Sequence, residues 1–414
     1  MQRIVVVGAS LGGLRVAEAA RAARFTGEIV IVGQERHLPY SRPPLSKEAL
    51  AGGISHELLE FRRRKSVDDV EWRLGTAVIE LDLEDRAVAL SDGTALTFDG
   101  LVIATGLRPR RLGLESPAEG RYVLRTLEDA VALRARLVPG ARIVIIGAGF
   151  IGCEVAATAT TMGCRVDVVA PEAVPLERPL GPLAGEAMRR RHERHGVRLH
   201  LGRLPVALRA GPEDPGRTGE VVLDDGTELP ADAVVEALGC LPNVEWMGGP
   251  GDGKLGEGLD LSDGVLTDGW LRAIGLDGIA RPDVVAVGDI ARYPNALFDD
   301  VPRRIEHWSN PTDTGKRAGP ALVAGLTGQP LDPAPFAPVA SFWSDQFGER
   351  LQSFGAQGLA DEVRLLEGDP DDEFVVGYFR SGRLVGVAGV GMMTELLAFR
   401  GEIAAASMSP DPSA

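Results

Sequence analysis

Two glycine turns constrain this chain more than any other feature of it. "RIVVVGASLGGLRVAEAARAA" opens with the apolar, β-branched run Ile4–Val7, breaks at Gly8, and continues with helical periodicity through Leu11, Leu14, Val16 and Ala19. "ARIVIIGAGFIGCEVAATATTMGCRVDVVAPE" (141–172) repeats the pattern with Gly147, Gly149 and Gly152. A continuous apolar run of this length reads as a buried parallel strand, and the periodic run after it as a helix. The helix N-terminus, with its open N–H groups and positive dipole end, is then aimed at the turn, where a pyrophosphate can sit. In the first turn Ser10 replaces the second glycine of the dinucleotide fingerprint, so that turn alone is also compatible with a junction that binds nothing. Two turns in full strand–turn–helix–strand context predict two dinucleotide folds, one interrupting the other.

The rest of the chain fits an interrupted pair. "EIVIVGQE" (28–35) is the second strand of the first unit, with Glu35 just past its end, where an acid accepts a ribose hydroxyl. "LTFDGLVIATGLRPR" (96–110) and "ELPADAVVEALGCLPNVEW" (228–246, with Gly239 in its turn) share one form: polar edge, apolar strand, glycine turn, proline. Each is a candidate for the chain crossing out of a dinucleotide domain. "RPDVVAVGDIARYP" (281–294) is a further buried strand, ending in Gly288-Asp289. Four prolines in "PLDPAPFAPV" (330–339) read as a linker.

The 414 residues suffice for two or three domains. A formal charge of −15 argues against a nucleic-acid partner. No run reaches the ~18 apolar residues of a membrane span, and "MQRIVVVGAS" lacks the charged and apolar regions of a signal peptide, so a soluble cytoplasmic protein is expected. Three scattered cysteines (Cys153, Cys164, Cys240) exclude a disulfide framework or a cysteine-ligated cluster. The histidines lack metal-ligand spacing, and "RRRHERHG" (189–196), with His192 and His195, reads as a solvated basic helix face.

The markers "VGASLGG", "LPYSRPPLSKE", "ATGLRPR", "LRTLEDA", "IIGAGFIGCE", "AVGDIAR", "EHWSNPTDTGKRAG" and "FWSDQFGERLQ" span the chain. Together they resemble the FAD-dependent NAD(P)H:ferredoxin reductases of the putidaredoxin reductase type, which supply monooxygenases and dioxygenases. The resemblance implies an α/β fold: two Rossmann-like domains, for FAD (1–109 and 243–328) and NAD(P)H (110–242), plus a C-terminal α+β domain (329–414). It implies FAD contacts from Gly8, Gly12, Gly13, Glu35, Arg42, Lys47, Val78, Arg125, Asp289 and Trp308. Coenzyme contacts fall to Gly147, Gly149, Ile151, Gly152, Glu154, Glu172 and Gly239. It further implies a ferredoxin partner and a monomer or weak homodimer.

The chemistry such a protein performs needs a cation near the flavin, because reduction leaves negative charge there. "PYSRPPLSKE" holds Lys47 behind two prolines, which fix their own φ and push the preceding residue toward extended backbone. A buried ammonium needs an acid, and the resemblance supplies Glu154; these two are the expected catalytic pair, with no metal. For the coenzyme, the usual acid at the end of the second strand is Ala170, so Glu172 is expected to substitute and NADH to be the donor, NADPH not being excluded. A thiol-dependent disulfide reductase needs a redox cysteine that 41–60 lacks. A nicotinamide-binding sensor of the apoptosis-inducing-factor type and a rubredoxin reductase are the alternatives. "RRRK" (62–65) and "RR" (303–304) are equal candidates for docking the partner.

Overall fold

A run of β-branched residues flanked by turns is best satisfied in the middle of a parallel sheet, covered on both faces. Arg3–Val7 takes that place. In this computed structural model, which describes residues 1–211, 214–248 and 258–405, it pairs in parallel with Glu28–Gly33 on one side and Gly100–Ile103 on the other. The six-stranded sheet is completed by Glu71–Leu74 beyond Glu28–Gly33, and by Ala280–Ala286 and antiparallel Arg272–Ile274 at the opposite edge. Ile4, Val5, Val6 and Ile31 are almost fully buried, each contributing about 1.5–3 kcal/mol of apolar burial.

The chain divides into two compact units, Met1–Ser41 with Leu59–Arg108 and Pro242–Ala340, and Arg42–Leu58 with Pro109–Leu241 and Ser341–Ala414. Residues 249–257 and 406–414, inside segments assigned above to the first and last domains, lie outside the described residues.

In the first unit the helix Leu11–Ala22 packs on Asn310–Thr327. Gly315 and Gly319 make that contact close: a Cβ on Gly319 would stand 2.6 Å from the Cβ of Ala19, and one on Gly315 2.9 Å from that of Arg15. This is the physical content of "TGKRAG".

The second unit repeats the arrangement. Arg142–Ile146 pairs in parallel with Arg165–Ala170 and Ala233–Glu236, in a five-stranded sheet closed by Arg198–Leu201 and Arg121–Tyr122. Ser341 onward builds a separate five-stranded antiparallel sheet followed by the helix Met393–Ala405. The expected α/β class, with two parallel dinucleotide-type sheets and a C-terminal α+β element, is the observed one. No helix among the described residues is long and apolar enough to cross a membrane.

Candidate active site

In the first unit the chain leaves its central strand at Gly8, whose φ of +123° suits glycine alone among common residues. A Cβ there would lie 2.1 Å from the carbonyl oxygen of Ala104, and one on Gly13 2.1 Å from that of Gly8. Gly12 is less constrained, its nearest neighbour being Val287 Cγ2 at 3.3 Å. Ser10 holds the N-cap position of the helix without its side chain capping, so the first N–H groups are left for another acceptor. Around this turn Gly288 donates its N–H to Thr314 Oγ1 (2.9 Å), which donates to the Asn310 carbonyl (2.5 Å). These bonds fix the Gly288-Asp289 turn against the start of Asn310–Thr327. Gly8, Gly12, Gly13 and Asp289 thus come together.

Glu35 follows Glu28–Gly33 and accepts the Tyr40 hydroxyl at 2.5 Å. Val78 pairs with Leu90 and packs on the core. Trp308 is 38% exposed, its ring 6.5 Å from that of Phe61, over which Arg15 is placed. This cradle of tight glycines and an uncapped helix end fits a dinucleotide pyrophosphate.

In the second unit Gly147 has φ +108°, and a Cβ on Gly152 would lie 2.0 Å from the Gly147 carbonyl oxygen. Gly149, at the N-cap of Phe150–Thr161, has open space around its missing Cβ, and so does Gly239 with φ +82°. Ile151 is exposed in the same turn. A second pyrophosphate fits here. Glu172 is engaged, its Oε1 lying 2.6 Å from Nε of a largely exposed Arg178. A guanidinium thus stands beside the acid expected to meet the coenzyme ribose.

Lys47 and Glu154 meet, Nζ to Oε2 at 2.6 Å, with side chains only 10% and 4% exposed. The route differs from expectation. Arg42, before the first proline, is αR (φ −85°, ψ −32°), because its carbonyl accepts the Leu45 N–H at 2.9 Å and closes the 3₁₀ turn Pro43–Ser46. That bond outweighs the pre-proline preference for extended backbone. The other two ammonium protons go to the Pro43 carbonyl (3.1 Å) and Ser46 Oγ (3.3 Å). Arg42 donates to the Arg125 carbonyl at 2.6 Å. "LRTLEDA" is itself a capping box, Thr126 and Asp129 satisfying each other's backbone N–H groups.

Several participants carried no signal in the sequence. Ser46 donates to Glu154 Oε2 at 2.5 Å and Ser344 to Oε1 at 2.6 Å. "RRRHERHG" is not wholly solvated, since Arg191 and His192 are buried. Arg191 reaches the Pro370 and Asp372 carbonyls, and burial pushes His192 down to about 4. The C-terminal sheet covers this helix face, which charge content alone could not reveal. Cys153 is a packed thiol pushed well above its ordinary value by burial, as suits a bystander.

Residues 2–315 match the pyridine nucleotide-disulphide oxidoreductase family and residues 341–414 the reductase C-terminal family. The ferredoxin–NAD(+) reductase component of the anthranilate 1,2-dioxygenase system of Burkholderia cepacia is 37% identical over 99% of this chain and 95% of its own. Putidaredoxin reductase of Pseudomonas putida is 34% identical over 93% and 87%. The reductase in a crystal structure of the covalent putidaredoxin reductase–putidaredoxin complex superposes with a TM-score of 0.86 at 32% identity, covering 98% and 93%. With two glycine turns that fit a pyrophosphate, a buried lysine–glutamate pair and relatives matched over most of their length, this chain belongs to the pyridine nucleotide-disulphide oxidoreductases, among their ferredoxin–NAD(+) reductases.

Proposed function

We propose that this chain takes hydride from NADH, or less readily NADPH, onto FAD and passes single electrons to a cytoplasmic ferredoxin serving a monooxygenase or dioxygenase. The observation that carries this is the buried Lys47–Glu154 pair, in a chain whose full-length relatives are named as ferredoxin reductases. FAD is assigned to 1–109 and 243–328, through Gly8, Gly12, Gly13, Glu35, Val78, Asp289 and Trp308, with Arg42, Lys47 and Arg125 as further contacts. The coenzyme is assigned to 110–242, through Gly147, Gly149, Ile151, Gly152, Glu154, Glu172 and Gly239. Residues 329–414 form the third domain.

FAD, when bound, supplies a two-electron acceptor that releases electrons singly. The chain's own work is to bind, orient and charge. The two turns hold the pyrophosphates. Lys47 presents a positive charge whose field favours the negative charge that reduction creates, and Glu154 keeps the ammonium fixed.

Anaerobic flavin bleaching by NADH tests this. Lys47→Ala should retain FAD, lower its potential, and slow reduction about 10- to 100-fold. It also leaves Glu154 as an unpaired buried carboxylate, so Lys47→Ala/Glu154→Gln should bleach faster than Lys47→Ala. Additive effects would mean that the two residues do not act together.

A further inference from the structure

"SFWSDQ" (341–346) is a strand whose alternate residues Phe342, Ser344 and Gln346 are buried. That buried edge runs along the second glycine helix: Phe342 packs on Phe150 with ring centroids 4.7 Å apart, and Ser344 reaches Glu154. Gln346 goes one step further, to His192. Nothing in the proposed reaction uses these polar side chains, yet Ser344, Gln346 and His192 are at most 3% exposed. Buried polar groups at this depth are costly unless their bonds serve a purpose or satisfy one another fully.

Their bonds have a direction. His192 is neutral at ordinary pH, burial having pushed it down to about 4. Gln346 Oε1, 2.8 Å from Nε2, can only accept, so Nε2 carries the hydrogen. Nδ1 is buried with no hydrogen-bond partner among the described residues, as suits the nitrogen without a proton. With Oε1 committed to His192, the Gln346 amide nitrogen donates to Ser344 Oγ at 2.9 Å. The serine oxygen is then an acceptor on that side, and its only hydrogen goes to Glu154 Oε1. Each donor points toward the carboxylate, so each bond polarises the next in the same sense. On the other oxygen, Oε2, Ser46 and Lys47 converge, and Thr158 fixes Ser46 through its carbonyl at 2.7 Å.

We infer that Ser344, Gln346 and His192 are positioning residues: a directed hydrogen-bond chain from His192 through the strand Ser341–Gln346 that holds Glu154 as an oriented anion for Lys47. The inference rests on the proposed role of the Lys47–Glu154 pair. It gives the C-terminal sheet a part in setting the charge that flavin reduction meets.

The test is a set of variants read by FAD content, melting temperature, midpoint potential of the bound flavin, and anaerobic bleaching by NADH. Ser344→Ala should retain FAD, lower the potential, and slow bleaching about tenfold, as expected for a lost bond to a charged group. Ser344→Thr, which keeps the hydroxyl, should bleach within about twofold of wild type. Gln346→Leu and His192→Phe should each slow bleaching about twofold, and neither should add to Ser344→Ala, because they act in series. In a Glu154→Gln background, Ser344→Ala should lose its effect on rate, and the two substitutions should be non-additive in melting temperature.

A full Ser344→Ala effect in that background would overturn the inference, since the serine would then act through packing. So would an unchanged potential in Ser344→Ala when Lys47→Ala shifts it. Should Lys47→Ala itself leave the potential unchanged, the proposed role of the pair fails. The melting-temperature cycle then decides separately, non-additivity supporting and additivity overturning the hold of Ser344 on Glu154.

Discussion

The two glycine turns share a backbone and differ at three positions, of which Leu11 against Phe150 is an exchange of one large apolar side chain for another. Gly8 and Gly147 both adopt positive φ, with a missing Cβ 2.1 Å from the Ala104 carbonyl oxygen and 2.3 Å from that of Ala237. Gly13 and Gly152 both press on the carbonyl of the glycine that opens their turn, at 2.1 and 2.0 Å. Between these outer positions, Ser10 stands where the second turn has Gly149, and Gly12 where it has Ile151. The difference separates two reasons for a glycine. The outer ones are required by the fold, because strand, turn and helix meet there with no room for a methyl group. Gly149 has open space, so the fold does not require it, in keeping with the coenzyme contact proposed for it.

The largest expected effect follows from that division. Gly152→Ala and Gly13→Ala should each cost about 3 kcal/mol or more, seen as lost yield and a lowered melting temperature. Gly149→Ala should stay within about 0.5 kcal/mol of wild type in stability, yet raise the KM for NADH about tenfold. Ser10→Gly should leave FAD retention and melting nearly unchanged. A melting loss in Gly149→Ala equal to that in Gly152→Ala would erase the distinction between fold glycine and ligand glycine.

Each unit also holds a histidine removed from water, His192 fully buried and His307 partly so. Burial pushes His307 in the first unit and His192 in the second down to about 4 from an ordinary 6.5. Above pH 6.5 both folded and unfolded states are neutral and the stability is complete. As the pH falls, the unfolded chain takes up a proton that the folded one refuses, so stability is lost between about 6.5 and 4. The difference between 6.5 and about 4 corresponds to about 3 kcal/mol for the buried His192, and to less for the partly exposed His307. Melting followed over that range should fall less steeply for His192→Gln and for His307→Gln. Where the units melt separately, each variant should flatten a different transition; one shared response would mean that they unfold together.

How much of this was legible beforehand depended on distance along the chain. The strands, turns and helices around both glycine turns follow from periodicity, which is local, and the Lys47–Glu154 pair followed from resemblance. The hold of Ser344 on Glu154 did not, because 190 residues separate the partners and a buried serine in a strand looks like any other. His192 was misjudged for a related reason. A basic stretch is ordinarily solvated, and only the C-terminal sheet packed on it says otherwise. Asp289 and Trp308 likewise carried meaning only as part of the family pattern.

A smaller effect concerns the acids that follow the second strand of each unit. Glu35 accepts the Tyr40 hydroxyl, and Glu172 faces the guanidinium of Arg178. Because Arg178 is 81% exposed, that pair is weak, worth about 0–1 kcal/mol, and a ribose can compete for the acid. Arg178→Ala should therefore raise the preference for NADH over NADPH about three- to fivefold, and Ala170→Glu should raise it further. The measurement is kcat/KM with both coenzymes. A wild type that prefers NADPH more than tenfold would make Arg178 the cation for a 2′-phosphate and remove Glu172 from its assigned role.

The smallest effect asks which unit meets the electron acceptor. If the first turn holds FAD permanently while the second exchanges its coenzyme, charge on the first unit should matter for ferredoxin and not for NADH. The two basic clusters there differ. Arg303 is paired with Asp299, and Arg304 with Asp263 and Glu306, so carboxylates outnumber guanidiniums in that patch. Arg62 and Lys65 are exposed without an ion-pair partner among the described residues, and the guanidiniums of Arg63 and Arg64 stand 3.7 Å from the carboxylates of Glu60 and Glu18. An acidic partner is attracted by uncompensated charge. Arg62→Glu/Lys65→Glu should slow ferredoxin reduction about threefold at low salt, and less as salt screens the field. Arg303→Glu/Arg304→Glu should slow it less. Flavin bleaching by NADH should be unchanged in both, since the substituted charges lie outside the coenzyme turn. Equal loss in the NADH step would show damage to the fold rather than to docking, and an effect confined to Arg303 and Arg304 would move the docking face to the other cluster of the same unit.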